Sequence, residues 1–268
     1  MDAAPGASTF QASGAAYDSF MGRYSVQLAE VFADFAGVVG GISALDVGCG
    51  PGGLTRVLSV RLGAQAVSAF DPSEPFVADC AQACPGVDVR IGRAEAIPFD
   101  DAGFDAALAQ LVLHFVSDPS VAAAELRRVV RPGGVVAACV WDFERGMEML
   151  RFFWDAALTI NPDAPDEARV MRFGRHGEIT ELLAAAGFED LVETTLTVTS
   201  AYSGFDELWS GYLAGIGPAG SYCVALDDDK RAAVRNELYR RVGSPSGAFE
   251  LAATARSTRG RVPGSPRD

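Results

Sequence analysis

Ala44-Leu45-Asp46-Val47-Gly48-Cys49-Gly50-Pro51-Gly52-Gly53 is the stretch on which the fold is decided. Residues 43–48 (SALDVG) read as a buried strand that delivers Asp46 to its C-terminal edge. Gly48 and Gly50 then let the backbone turn sharply and approach a ligand that a Cβ would push away. Asp71 follows about 20 residues later, at the end of a second strand-like run, AVSAFD (66–71). At that distance an acidic side chain reaches ribose hydroxyls in dinucleotide-binding sheets. Asp71-Pro72-Ser73 also precedes a helical run, so a capping role is the alternative for Asp71. The glycine turn and the acid together point to a nucleoside-containing cofactor at a sheet edge.

Outward from this turn, strand-like and helix-like runs alternate. Helical spacing of Tyr24, Leu28, Val31, Phe32 and Phe35 precedes it, with Gly37 as the stop. After it come helices over Gly53–Leu62 and Glu74–Ala83, and strands over 87–92 and 104–110. A helix over Val121–Val130 stops at Pro132-Gly133-Gly134, and a strand follows over 134–141. This alternation predicts right-handed βαβ crossovers and a largely parallel, three-layer α/β sheet of the Rossmann-like kind. Beyond Trp141 the rhythm breaks. Residues about 145–173 and 205–241 read as helical cap insertions. Between and after them, a helix over Ile179–Ala186 and strands over Phe188–Thr199 and Ala248–Ser257 complete a domain spanning 17–257. Residues 1–16 and 258–268 read as a loose N-terminus and a disordered tail.

Composition narrows the partners. With 22 Lys+Arg against 35 Asp+Glu, the net charge is −13, a field that repels phosphate backbones and anionic lipid. Nucleic-acid and membrane partners are not expected. No basic leader precedes an apolar block, and no run reaches the ~18 apolar residues of a membrane helix, so a cytoplasmic protein is expected. Five cysteines (Cys49, Cys80, Cys84, Cys139, Cys223) without CxxC pairs read as free thiols. No His/Cys/carboxylate cluster has metal-ligand spacing, so no metal is expected.

Spacing alone leaves two cofactors open, because Gly53 fills the third position of G-x-G-x-x-G. Asp46 disfavours a dinucleotide: an acid inside the turn opposes a pyrophosphate and suits the ammonium of a methionine moiety. LDVGCGPGG resembles motif I of class I S-adenosylmethionine (SAM)-dependent methyltransferases. The likeness continues through AFDPSEPFV (69–77), IGRAEAIPFDDAGFDAALAQLVLHFVSDP (91–119) and ELRRVVRPGG (125–134), and is with the ubiquinone-biosynthesis-type, methyltransferase type 11-like small-molecule branch. It implies a seven-stranded sheet with an antiparallel last strand. It also implies transfer of a methyl group from SAM to an oxygen, nitrogen or carbon of a small-molecule acceptor.

Carried onto this chain, the resemblance implies that Gly48 and Gly50 pass the methionine and ribose and that Asp71 binds the ribose hydroxyls. Pro72 and Phe76 line the adenosine, and Ala94 and Glu95 fall where adenine is recognised. Arg93 stands where that motif commonly carries Asp, leaving Glu95 as the available carboxylate. Gln110 and Leu111 lie beneath the methionine part. YDSFMGRYS (17–25) resembles a lid, in which Tyr17 closes over the ligand and Arg23 meets the methionine carboxylate. His114, just after the fourth strand, is the candidate general base, and His176 is a second, weaker one. The aromatics Trp141, Phe152, Phe153, Trp154, Trp209 and Tyr212 form either the insertions' own core or an apolar acceptor pocket.

Two other functions compete. An NAD(P)-dependent oxidoreductase on a similar sheet would want a Tyr-x-x-x-Lys pair, yet Lys230 is the sole lysine. A non-catalytic SAM-binding accessory protein would keep the same cofactor motifs. The identity of the acceptor and the oligomeric state are not encoded in any motif.

Overall fold

A computed structural model describes residues 21–264; Tyr17 lies outside them. The glycine turn follows β1 (Ala44–Val47) and opens α2 (Gly53–Leu62). β2 (Val67–Asp71), α3 (Glu74–Ala83) and β3 (Asp88–Ile91) extend the sheet to one side. β4 (Phe104–Gln110), α4 (Pro119–Val129) and β5 (Val130–Trp141) extend it to the other. With α6 (Glu178–Ala185), β6 (Glu189–Tyr202) and β7 (Phe249–Arg261), the order becomes β3-β2-β1-β4-β5-β7-β6. β1 is parallel to both β2 and β4, and β7 is antiparallel to β5 and β6. The Rossmann-like sheet with its antiparallel last strand is thus the one the sequence predicts. Strand order reverses between β1 and β4, and the crevice at the carboxyl ends of such strands is where open α/β sheets bind ligands.

Alternation along the strands builds the layers. Ala106, Leu108, Ala137, Cys139 and Trp141 join one core with Tyr24, Leu28 and Phe32 of α1 (Arg23–Phe35) and Leu54 and Leu58 of α2. Their neighbours Ala107, Ala109, Val136, Ala138 and Val140 join the opposite core with Leu126 and Val129 of α4 and Ile179 and Leu183 of α6. A period of two on strands buried on both faces accounts for the near-continuous apolar runs. Asp118 starts α4 two residues before the predicted helix by accepting the Ser120 and Val121 amides, each at 3.1 Å.

The late strands outrun their predicted ends. β7 continues through Thr258 to Arg261, so the first four residues of the expected disordered tail are strand. β7 is central, paired on both edges, and Ser257 and Thr258 are fully buried. The Arg259 and Arg261 guanidiniums donate to the carbonyls of Phe35 and Gly133. β6 reaches Tyr202, which pairs with Phe249 and stacks on it at 5.4 Å. This ladder carries the cap helices α7 (Phe205–Leu213), α8 (Gly217–Ala225) and α9 (Asp228–Arg241), while α5 (Glu148–Ile160) and a 3-10 turn over Glu167–Arg169 lie between β5 and α6.

Tyr24 fastens α1 to this frame: its hydroxyl lies 3.0 Å from that of Tyr202, which donates in turn to Met149 Sδ. Tyr24→Phe leaves the ring contact with Trp141 in place and is expected to lower unfolding stability by about 1 kcal/mol. Urea denaturation checks this, and an unchanged midpoint would show that the buried hydroxyl pair contributes nothing to docking of α1.

Candidate active site

The turn after β1 is held from the neighbouring strand. Gly48 and Cys49 both donate their amides to the Phe70 carbonyl, at 2.9 and 3.0 Å. Gly48 has φ +69°, and a Cβ there would lie 2.6 Å from Val112 Cγ2. Gly50, at φ +52°, borders open space, so the backbone is bare toward the crevice. The third glycine differs from the sequence reading. Gly53 begins α2 with nothing near its Cβ position, whereas Gly52 (φ +95°) allows α2 to approach Cys80 of α3.

Asp71 does more than cap a helix. One carboxylate oxygen accepts the Gly50 amide at 3.0 Å and the other the Ser73 amide at 2.9 Å. It therefore ties the glycine turn to the start of the β2–α3 loop while remaining at the sheet edge. Burial raises its pKa against the opposing effect of these two bonds. Asp46 is fully enclosed and accepts from Thr55 Oγ1 at 2.6 Å. Burial pushes its pKa up to about 7, with the Thr55 bond pulling the other way. Gln110 donates to the Ser25 carbonyl of α1 at 3.0 Å, and its Oε1 is buried without a partner. Leu111 follows in a left-handed conformation, φ +61°, with its amide on the Cys139 carbonyl. Pro72 is exposed, Phe76 half-buried and Ala94 buried around the β2 and β3 ends. A bare glycine backbone, an acid after β2 and an orphaned amide oxygen after β4 suit the nucleoside and the amino-acid end of SAM.

Four predicted side chains have surroundings that the sequence does not reveal. Arg23 is engaged by the cap: it pairs with Glu207 of α7 at 2.5 Å and stacks over Tyr202, joining α1 to the second insertion. Glu95 accepts the amides of Ser117 and Asp118 at 2.9 and 3.3 Å, stapling the loop after β3 to the start of α4. A short acidic side chain beside free helix-start amides finds them first. His114 is buried and its pKa is pushed down to about 3, by burial first and by Arg172 second. Both effects favour the neutral imidazole at physiological pH. His176 is exposed and bonded to Glu193 of β6.

His114 instead lines a narrow apolar cavity with Leu111, Trp141, Glu167 and the turn 216–219 of the second insertion. Both insertions thus contribute walls. The aromatics divide: Trp141 faces the cavity, while Phe153 stacks on Tyr212 at 4.5 Å and Trp154 packs against Tyr222 in the core of the cap. Glu167 is the polar group that sequence reasoning missed, because it sits in a Pro/Asp-rich turn that reads as solvated loop. Among the described residues no group of three His, Cys, Asp or Glu is placed to hold a metal, and no helix is long and apolar enough to cross a membrane.

Two substitutions probe the turn. Gly48→Ala is expected to cost about 1–3 kcal/mol of stability, seen as a lowered Tm, because a positive φ and Val112 both oppose a Cβ. Asp46→Asn keeps the Thr55 donor an acceptor and removes the buried charge. A carboxyl raised in the folded state favours folding when protonated, so wild-type stability falls as pH rises from about 4 to 7. Asp46→Asn is expected to exceed wild type by roughly 4 kcal/mol at pH 8, from about three pH units at ~1.36 kcal/mol each, the difference vanishing near pH 4. Denaturant titrations at both pH values decide it.

Comparison with known proteins gives the same picture. The methyltransferase type 11 domain matches residues 45–138, from β1 to β5. Malonyl-(acyl-carrier protein) O-methyltransferase of Erwinia billingiae is 32% identical over 215 residues, 77% of this chain and 78% of that protein. An uncharacterized 37.1 kDa protein in transposon TN4556 of Streptomyces fradiae is 38% identical over 178 residues, and the match spans 60% of this chain but 47% of that relative. The solved structure of a putative type II methyltransferase from Anaeromyxobacter dehalogenans superposes with TM-score 0.64 at 25% identity, covering 91% of this chain and 98% of that one. With the sheet order, the glycine turn and these likenesses together, the chain belongs to the class I SAM-dependent methyltransferases, in the methyltransferase type 11 family.

Proposed function

We propose that the chain transfers the methyl group of SAM to a small-molecule acceptor held in the apolar cavity between the sheet edge and the two insertions. The observation that carries this reading is a shared wall. Val112 presses on Gly48 of the cofactor turn, and Leu111 beside it lines the cavity. In this reading Asp71 takes the ribose hydroxyls, Gly48 and Gly50 the close backbone approach, and Pro72, Phe76 and Ala94 the adenosine. Asp46, Gln110 and Leu111 are assigned to the methionine part.

SAM, when bound, supplies an electrophilic methyl group on a sulfonium that is already a good leaving group. The chain's contribution is then placement, and proximity with orientation can account for most of the acceleration. Trp141, Phe143 and Leu150 give the cavity an apolar wall that disfavours water beside the acceptor. His114, neutral and with an unpartnered Nδ1, offers a hydrogen bond to the acceptor without carrying charge. The Erwinia relative acts, by its name, on a malonyl thioester, whose acyl group ends in a carboxylate. Among the described residues no Lys or Arg lines this cavity and Glu167 does, which favours an uncharged acceptor here.

Calorimetric titration with SAM, S-adenosylhomocysteine and NADH tests the reading. Micromolar binding of the first two without the third is expected; binding of NADH alone would overturn it. Asp71→Ala is expected to weaken SAM by about 1–3 kcal/mol, whereas Asp71→Asn, which keeps an acceptor oxygen for the Gly50 amide, separates ribose binding from collapse of the turn. Unchanged affinity in both variants removes Asp71 from the cofactor site.

A further inference from the structure

The cavity wall is hydrocarbon except at a few atoms. Glu167 is 4% exposed. Its Oε1 accepts from Trp154 Nε1 at 2.8 Å, inside the cap, and Oε2 has no hydrogen-bond partner among the described residues. Among the other lining residues, His114 Nδ1 and Trp141 Nε1 are both buried and unpartnered. A carboxyl, an imidazole and an indole, each with an unused bonding position, thus belong to residues that line one apolar slot. Buried polar atoms left unpaired are costly, and a ligand that meets them recovers that cost.

The charges around Glu167 do not satisfy it. Asp166 precedes it on the same turn. Arg151 of α5, the nearest cation, is held by Asp166 and Asp155 at 2.8 Å each. Arg172 lies near His114 and donates to the Val116 carbonyl. Burial therefore raises the Glu167 pKa to about 7, with the Trp154 bond and Arg151 opposing and Asp166 reinforcing. Near neutrality this carboxyl both takes and gives a proton, which is the range a general base needs.

We propose that Glu167 is the proton acceptor of the acceptor subsite, and that the acceptor is a small, largely apolar molecule presenting one hydroxyl to it. The inference rests on the methyltransferase reading above. The hydroxyl oxygen forms the new bond to the methyl carbon, the carbon–sulfur pair stays on sulfur, and the hydroxyl proton passes to the Glu167 carboxylate and then to solvent. His114 orients the hydroxyl as a neutral partner. A carboxylate acceptor is rejected by like charge.

Phenol and toluene, which differ by a hydroxyl in place of a methyl, test this on the full chain saturated with S-adenosylhomocysteine, with quenching of tryptophan fluorescence as the readout. Wild type is expected to bind phenol roughly 5-fold more tightly at pH 8 than at pH 6, and toluene no more tightly at pH 8. Glu167→Gln, checked by near-UV circular dichroism and by its retained S-adenosylhomocysteine affinity, is expected to lose the pH dependence for phenol. Glu167→Asp, which keeps the charge but withdraws it by one methylene, is expected to weaken phenol and keep the dependence. Equal, pH-independent affinities for phenol and toluene in wild type, or a dependence that persists in Glu167→Gln, would overturn the proposal while leaving the methyltransferase reading intact. Failure of S-adenosylhomocysteine to bind wild type would overturn both.

Discussion

The Phe70 carbonyl, accepting the amides of Gly48 and Cys49, is the contact on which the rest of this molecule depends. It bends the chain away from β1 where strand order reverses, and left-handed glycine backbone is what makes the bend possible. The bend brings Gly50 to the Asp71 carboxylate, which also holds Ser73, so the loops after β1 and β2 are tied to each other. It brings Gly48 against Val112, so the loop after β4 is set by the same turn. Three loops from three strands are thereby fixed relative to each other by main-chain geometry and one carboxylate, before any ligand contributes.

The cap is organised differently, by polar pairs buried among aromatics. Tyr212 donates to the Met149 carbonyl, Trp154 to Glu167, and Arg151 spans Asp155 and Asp166. Such groups are stable inside only when their partners are in place, so they specify how the two insertions meet more than they add net stability. Arg23 extends the arrangement: its pair with Glu207 and contact with Tyr202 couple the start of α1 to the second insertion. The walls of the cavity are consequently drawn from three distant segments of sequence.

That distance explains what was legible. The sheet could be read because period-two burial and glycine or proline punctuation are local signals, and helices 53–62 and 74–83 fall where the spacing puts them. The cofactor turn was legible because its conformation demands glycine. Strand ends were less so: whether Thr258–Arg261 is strand or tail depends on β5 and β6 lying on either side, which no window of sequence reveals. Glu95 and Arg23 carry the right chemistry for a ligand, but amides at a helix start and a glutamate about 180 residues away lie closer. Glu167 gives no signal at all, since its burial arises from an insertion folding onto the sheet edge.

Charge ties the two regions together. Asp46 beneath the turn and Glu167 beside the cavity are both carboxyls that burial has moved to about 7. The largest cause in each is loss of water, reinforced by a neighbouring carboxylate (Asp71 and Asp166 respectively), so an added positive charge would draw either back toward ionisation. The chain as a whole carries −13, and its long-range field favours a cationic ligand over the same ligand with one positive charge removed. Under the proposed function, that field favours a sulfonium over the neutral thioether that remains after methyl transfer. His114, packed between Phe115 and Phe143 and held neutral by burial and by Arg172, adds no positive charge to the cavity wall that would oppose that preference.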